Sequence, residues 1–251
     1  IAAATEMNRW GLTSVHDAGV PQVAIDVYEG LAKEGRFSVR DYVMIAGDSA
    51  NLAHYFARGP QTALYDGHIW IKAIKLVADG ALGSRGASLL EPYSDDAKTT
   101  GLTLVPPGRV RQVGIEALKH GFQLNVHAIG DRANRTVLDE FEAALTEAKL
   151  PIEALVMSPD GELTVGGQPV DVEEARPELG WISTDTFTGP GRAYWTTLLK
   201  SPVLEWVQSP AAGFDGPAFG RLVAKGARLT RNNAQSVPIG EYVLATVLDH
   251  F

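Results

Sequence analysis

The stretch that decides the fold is GFQLNVHAIGD, residues 121–131. Its residues alternate, with Phe122, Leu124 and Val126 on one face of an extended segment and Gln123, Asn125 and His127 on the other. A strand of an α/β barrel needs that division, apolar toward the surrounding helices and polar toward the inside. Barrel sites lie at the C-terminal strand ends, where His127 stands. The run 132–148 then carries Ala133, Val137, Phe141 and Leu145 on one helical stripe, with Asp131 placed as its N-cap. His127 therefore has two readings, a ligand or catalytic group at a strand end, or a core histidine bonded to a neighbour.

Working outward, the same alternation of β-rich and helical runs fills the chain. Strands are expected at 12–17, 38–46, 70–78, 122–128, 153–158, 179–184, 204–209 and 227–231. Helices are expected near 21–34, 48–58, 108–120, 132–148, 171–176, 191–200, 216–225 and 237–250. The fold class is α/β. Eight strands and eight helices allow one closed eight-stranded barrel. Against that, the stretch 147–180, rich in Gly, Pro and acidic residues, breaks the rhythm and reads as a boundary near Lys149 to Pro151. The preferred organisation is a partial (β/α) barrel over 1–149, followed by a flavodoxin-like parallel α/β half over 150–251.

Composition narrows the chemistry. The 251 residues carry a formal net charge of −8, which argues against nucleic acid or an anionic membrane as partner and favours a small-molecule ligand. There is no cysteine, so disulfides, thiolate zinc sites and a cysteine nucleophile are excluded, and a reducing, cytoplasmic compartment is expected. No apolar run reaches the ~20 residues of a membrane helix. Any metal must sit on His, Asp, Glu or a modified Lys.

IKLVADGALGSR, residues 74–85, is the second informative stretch. Lys75 shares a strand face with Val77 and Asp79, and burial there would depress its pKa toward the neutral amine that lysine chemistry requires. A lysine paired with a carboxylate, or one reaching out from a strand edge, fits the same pattern. The long segment 80–107 that follows reads either as a lid or substrate loop or as a disordered insertion.

GLTSVHDAGV (11–20), IKLVADGALGSRGASLLEPYSDD (74–96) and GFQLNVHAIGDRANRTVLDEFEAAL (121–145) resemble consecutive landmarks of the amidohydrolase superfamily, in the branch that includes N-substituted formamide deformylases. The resemblance implies a metal-dependent hydrolase of amide-like C–N bonds on a (β/α) barrel, with a divalent metal, zinc first. It implies Lys75 as a carbamylated metal-bridging lysine, His127 as a metal ligand and Asp131 as a supporting residue behind it. Asp79 and Arg85 fall in the branch's signature loop, as catalytic-site residues without an assigned role. The family's His-x-His pair is missing, because no two of His16, His54, His68, His120, His127 and His250 are separated by one residue. The family's later histidine and aspartate are unmatched too. A catalytic zinc usually takes three protein ligands, and two are matched here.

From 152 onward, LGWISTDTF (179–187) and QSPAAGFD (208–215) resemble the substrate-binding domain of D-2-hydroxyacid dehydrogenases. That resemblance implies a loop whose amides near Ala212 and Gly213 bind a substrate carboxylate. A Gly-rich turn ahead of a helix is a physically reasonable anion site, and equally a turn that needs positive φ. No Gly-x-Gly-x-x-Gly follows a strand, so no seat for NAD is expected. Three functions stay open: a hydrolase by ancestry, incomplete as this chain, a dehydrogenase fragment binding 2-hydroxy or 2-oxo acids, and a non-catalytic chimera. Half a barrel exposes sheet edges, and these are expected to be covered by the strands of the second half, by a second copy or by a partner chain.

Overall fold

In the computed structural model, residues 1–149, 153–182, 186, 189–209, 213 and 215–231 are described. The chain divides into two compact units, Ile1–Leu150 and Pro151–Phe251.

The first unit is built on one sheet. After helix α1 (Ala2–Arg9) come β1 (Ser14–Val20), α2 (Gln22–Lys33), β2 (Arg40–Ala46), α3 (Ser49–Arg58), β3 (Gln61–Ala63), the single turn α4 (Leu64–Gly67), β4 (Ile69–Val77), α5 (Arg109–His120), β5 (Gln123–His127) and α6 (Asp131–Ala148). The parallel strands run in the order β1-β2-β4-β5, and short β3 pairs antiparallel with the start of β4. Register places Ile45 beside Ile74, Ile74 beside Leu124 and Leu76 beside Val126. One face of every strand thus contributes to a continuous apolar layer.

That layer is the core. Val43, Ile45, Ile69, Ile71, Ile74 and Leu76 pack against Ile25 of α2, Leu52 and Tyr55 of α3, Val110 and Val113 of α5, and Ala133 and Val137 of α6. Each such side chain removed from water contributes about 1.5–3 kcal/mol. The helices form because their apolar residues recur at helical spacing, and one of them starts at a side-chain cap. Asp48 accepts the amides of Ala50 and Asn51 to start α3. The opposite sheet face carries Tyr42, Trp70, Lys75, Val77, Asn125 and His127, which lie outside the apolar core that the described helices of this unit cover. This is a barrel wall with its helical cladding on one side.

In the second unit, β6 (Leu155–Met157), β7 (Leu163–Val165) and β8 (Gln168–Val170) form an antiparallel meander. A separate parallel sheet runs β11-β10-β9 through β9 (Leu179–Trp181), β10 (Trp206–Ser209) and β11 (Arg228–Arg231), with helices α7 (Gly191–Lys200) and α8 (Pro217–Ala224). Its core is Ile182, Leu198, Leu204, Val207, Phe219 and Leu222.

The α/β class, with a partial barrel followed by a smaller parallel unit, is therefore what forms. Among the described residues the strands lie in three separate sheets, so the single closed barrel does not form. Three local expectations change. Residues 163–170, read as a boundary, are a hairpin, because Gly166 and Gly167 both take positive φ and supply the tight turn an antiparallel pair needs. Residues 171–176 are a turn rather than a helix. The Asp171 carboxylate takes the amide of Glu173, and Pro177 disfavours helical backbone at Arg176. Helix α1 (Ala2–Arg9) was not among the expected elements. The expected helix at 237–250 lies outside the described residues.

Candidate functional site

The site is built at the C-terminal rim of β4 and β5. Parallel pairing sets Lys75 beside Asn125 and Val77 beside His127. Lys75 and His127 are thus diagonal neighbours on the open face, about 7 Å apart along the sheet. Two residues beyond β4, the chain turns inward at Asp79, which has no exposed surface.

Asp79 is the best-connected side chain of this rim. One carboxylate oxygen, Oδ2, accepts the amides of Ser88 at 2.9 Å and Gly130 at 2.7 Å. The other, Oδ1, accepts the amide of Ile129 at 2.9 Å and faces His127 Nε2 at 3.7 Å. Burial pushes the Asp79 carboxyl upward, but the three amides and the nearby imidazole outweigh it and hold the group below the usual carboxylate range. An ionised carboxylate therefore sits under His127, whose ring is about one-third exposed to the open face.

Burial holds the Lys75 amine below its ordinary pKa, in the direction that favours the free amine. Its Nζ donates to the carbonyl of Leu76 at 3.1 Å, and among the described residues no carboxylate pairs with it. Along the same face a polar row runs from Tyr42, whose hydroxyl donates to Gln123 Oε1 at 3.2 Å, to Gln123 Nε2, which donates to Asn125 Oδ1 at 3.0 Å. The rings of His16 and Tyr42 stack with centroids 5.0 Å apart. Strand alternation could have found this row, since Gln123 and Asn125 share the polar face of the stretch that carries His127.

The other expected residues are placed elsewhere. Asp131 is the first residue of α6, with Gly130 as the cap, and its Oδ1 accepts the amides of Leu90 and Arg132. It serves the long loop, and no hydrogen bond or ion pair joins it to His127 among the described residues. Arg85 spends its guanidinium on Asp95, through Nε at 3.2 Å and Nη2 at 3.0 Å, and both side chains are well exposed. Arg132 joins the same clamp, donating to the carbonyls of Leu89 and Leu90. Segment 80–107 is therefore an ordered loop tied back on itself, as the bonds Gly80 to Gly86, Leu89 to Thr100 and Leu104 to Ala78 also show. In the second unit Gly213 is exposed, and a side chain there would meet the Asp215 carboxylate, a poor neighbour for an anion. Ala212 lies outside the described residues.

A divalent metal can be tested against this geometry. Among the described residues, no group of three His, Asp or Glu is placed to hold one ion. Asp79 spends both oxygens on backbone amides, which leaves His127 and Lys75 as two groups where a catalytic zinc takes three. The described residues alone do not fit a complete metal centre.

A profile of the amidohydrolase family matches residues 2–210. YtcJ of Bacillus subtilis, whose name assigns it provisionally to the amidohydrolases, is 32% identical over 138 residues, which are 53% of this chain and 25% of YtcJ. Among solved structures, an uncharacterized metal-dependent hydrolase from Pyrococcus horikoshii is 29% identical with a TM-score of 0.51, covering 56% of this chain and 29% of that one. A second, from Pyrococcus furiosus, shares the fold at a TM-score of 0.52 and 20% identity, covering 91% of this chain and 36% of that one. The chain thus spans between 25% and 36% of the length of these relatives. The family match runs on to residue 210, through most of the described second unit, and the comparisons give the dehydrogenase resemblance no support. No described helix is long and apolar enough to cross a membrane.

Proposed function

The chain belongs to the amidohydrolase family, and from that premise we propose that it serves the hydrolysis of an amide-like C–N bond in a small molecule, with His127 and Lys75 as its reactive-face residues. The observation that carries this reading is the rim of β4 and β5. There a histidine backed by an ionised carboxylate shares an open strand face with a lysine whose amine is shifted toward neutrality. Strand-end histidines on a barrel wall are where such chemistry is assembled. A divalent metal, zinc first, is part of the proposal, with its remaining ligands supplied from outside the described residues. A second copy or a partner chain covering the open sheet face is one source of them.

The test is hydrolysis of a panel of N-formyl and N-acyl amines by the purified protein, with and without zinc, manganese or iron and bicarbonate. Bicarbonate is included because a free lysine amine can take up carbon dioxide. Turnover is expected to depend on metal, and His127→Ala or Lys75→Ala should lower it by a factor of about 100 or more. Metal-independent turnover, or turnover untouched by both substitutions, would remove these residues from the chemistry. No turnover under any metal condition would count against the activity of this chain.

A further inference from the structure

The second unit holds a cavity of about 610 Å³ lined only by its own residues. Along one wall run Leu179, Gly180 and Trp181 of β9, and along another Glu153, Ala154, Leu155 and Met157 at β6. Consecutive side chains of a strand point to opposite faces, so a wall of three residues in a row is a strand edge and not a sheet face. Both strands are edges among the described residues, since β9 pairs only with β10 and β6 only with β7. Toward β10, the carbonyl of Glu178 accepts the amides of Glu205 and Trp206, and the amide of Ile182 donates to Gln208. A parallel ladder uses every second residue, so the backbone of Leu179 and Trp181 points the other way. The Trp181 carbonyl accepts the Tyr194 hydroxyl at 2.7 Å, whereas the Leu179 amide and carbonyl and the Trp181 amide have no partner among the described residues. On β6 the Ser158 amide donates to Glu162, which puts Val156 in the hydrogen-bonded pairs with β7 and turns the backbone of Leu155 and Met157 outward. Two carboxylates, Glu153 and Glu178, line the cavity against one cation, Arg176, whose Nη1 donates to the carbonyls of Glu173 and Ala175.

We propose that this cavity is a peptide-binding site, which takes an extended, apolar segment of a partner protein with a basic residue at its end as a strand added to the free edges of β9 and β6. Rows of unpaired backbone groups are the template for such strand addition. One residue of a sheet fills roughly 160 Å³, from its rise, strand spacing and sheet spacing, so the cavity has room for about four. Leu179 and Trp181 pair with the added backbone on one side, Leu155 and Met157 on the other. The basic residue answers Glu153 and Glu178, and Leu163, Leu198 and Trp206 receive the apolar side chains. The inference is independent of His127 and of any metal.

The experiment titrates the full chain with a blocked pentapeptide, acetyl-Lys-Val-Thr-Val-Lys-amide, and follows amide hydrogen exchange by mass spectrometry. A control peptide carries N-methyl groups on both valines, which keeps every side chain and removes the donors along one strand edge. The parent peptide should slow exchange over both 153–158 and 178–182, and the N-methylated one should bind at least about tenfold more weakly. Replacing both lysines of the peptide by glutamate should weaken binding at least about threefold. Leu179→Pro removes an outward amide and no ladder bond, and should weaken the parent peptide about fivefold. The proposal is overturned if about 2 mM peptide leaves exchange unchanged, or if slowing is confined to one of the two segments. It is equally overturned if the N-methylated or the glutamate peptide binds as tightly as the parent. Slowing that grows with protein concentration alone, without peptide, would assign the edges to a second copy and overturn it too. Should Leu179→Pro fail to fold, the N-methylated peptide still decides, because it is tested on the wild-type chain.

Discussion

Two carboxylates in the first unit are buried, and their surroundings push them in opposite directions. Asp79 is held ionised by three amides, whereas Asp41 on β2 is 3% exposed and its Oδ1 has no hydrogen-bond partner among the described residues. Burial, and then the charge of Asp17 on the adjacent strand, raises the Asp41 pKa from 3.8 to about 6. Asp17 in turn accepts the Tyr28 hydroxyl at 2.8 Å, and burial with that bond pushes Tyr28 up to about 12. A folded-state pKa above the unfolded one means the native protein holds a proton that the unfolded chain releases between about pH 4 and about pH 6. Stability therefore falls as pH rises through that window, by up to about 3 kcal/mol, and the penalty persists above it. Asp41→Asn, neutral at every pH, should flatten this dependence and raise stability at pH ~8 by about 1–3 kcal/mol, read from urea denaturation at two pH values. A variant less stable than the wild type at that pH would show Asp41 to be compensated by a partner. Little of this was legible at the residue scale. Strand alternation gave the facing of His127 and Lys75, but Asp79 looked like a loop residue of unassigned role. Its three partners lie 9, 50 and 51 positions away, beyond any local pattern.

At the scale of elements, the loop 80–107 and the start of α6 depend on a close backbone approach. A side chain at Gly130 would lie 1.9 Å from the carbonyl oxygen of Ser88, which also accepts the amides of Arg132 and Ala133 and so helps start the helix. Gly130→Ala should push the two segments apart and cost about 3 kcal/mol, with loss of amide protection at Ser88 and Ile129 in hydrogen exchange. Gly83→Ala in the same loop meets nothing within 4 Å and should stay within about 0.5 kcal/mol of wild type. Equal costs for the two would show that Gly130 is not a packing constraint. The elements themselves were largely readable, because helix stripes and strand alternation are local. What escaped was the hairpin at 163–170, where glycines and a proline were taken as a break, although a Gly-Gly pair between two short β-prone runs is also a turn signal. The helix expected at 171–176 failed for a related reason, since Asp171 and Pro177 favour a turn that a count of apolar residues does not register.

For the whole molecule, the candidate site lies in the first unit, and the family match covers residues of both units. The amidohydrolase resemblance rested on three long ordered stretches and held. The dehydrogenase resemblance rested on the stretches 179–187 and 208–215, and the comparisons do not support it. An open barrel wall with two candidate ligands leaves the central claim resting on one face, that of His127. The most direct measurement is zinc binding to the purified protein by calorimetric titration in bicarbonate buffer, wild type against His127→Ala, with His54→Ala as a control on α3. Complete structural zinc sites reach apparent energies of about 10–16 kcal/mol, so two ligands of four, at about half that, would bind no tighter than about 1 μM. The account predicts zinc binding that His127→Ala weakens at least about tenfold, a difference of about 1.4 kcal/mol, and that His54→Ala leaves unchanged. Zinc affinity that is the same in His127→Ala as in the wild type would place any metal elsewhere and contradict it.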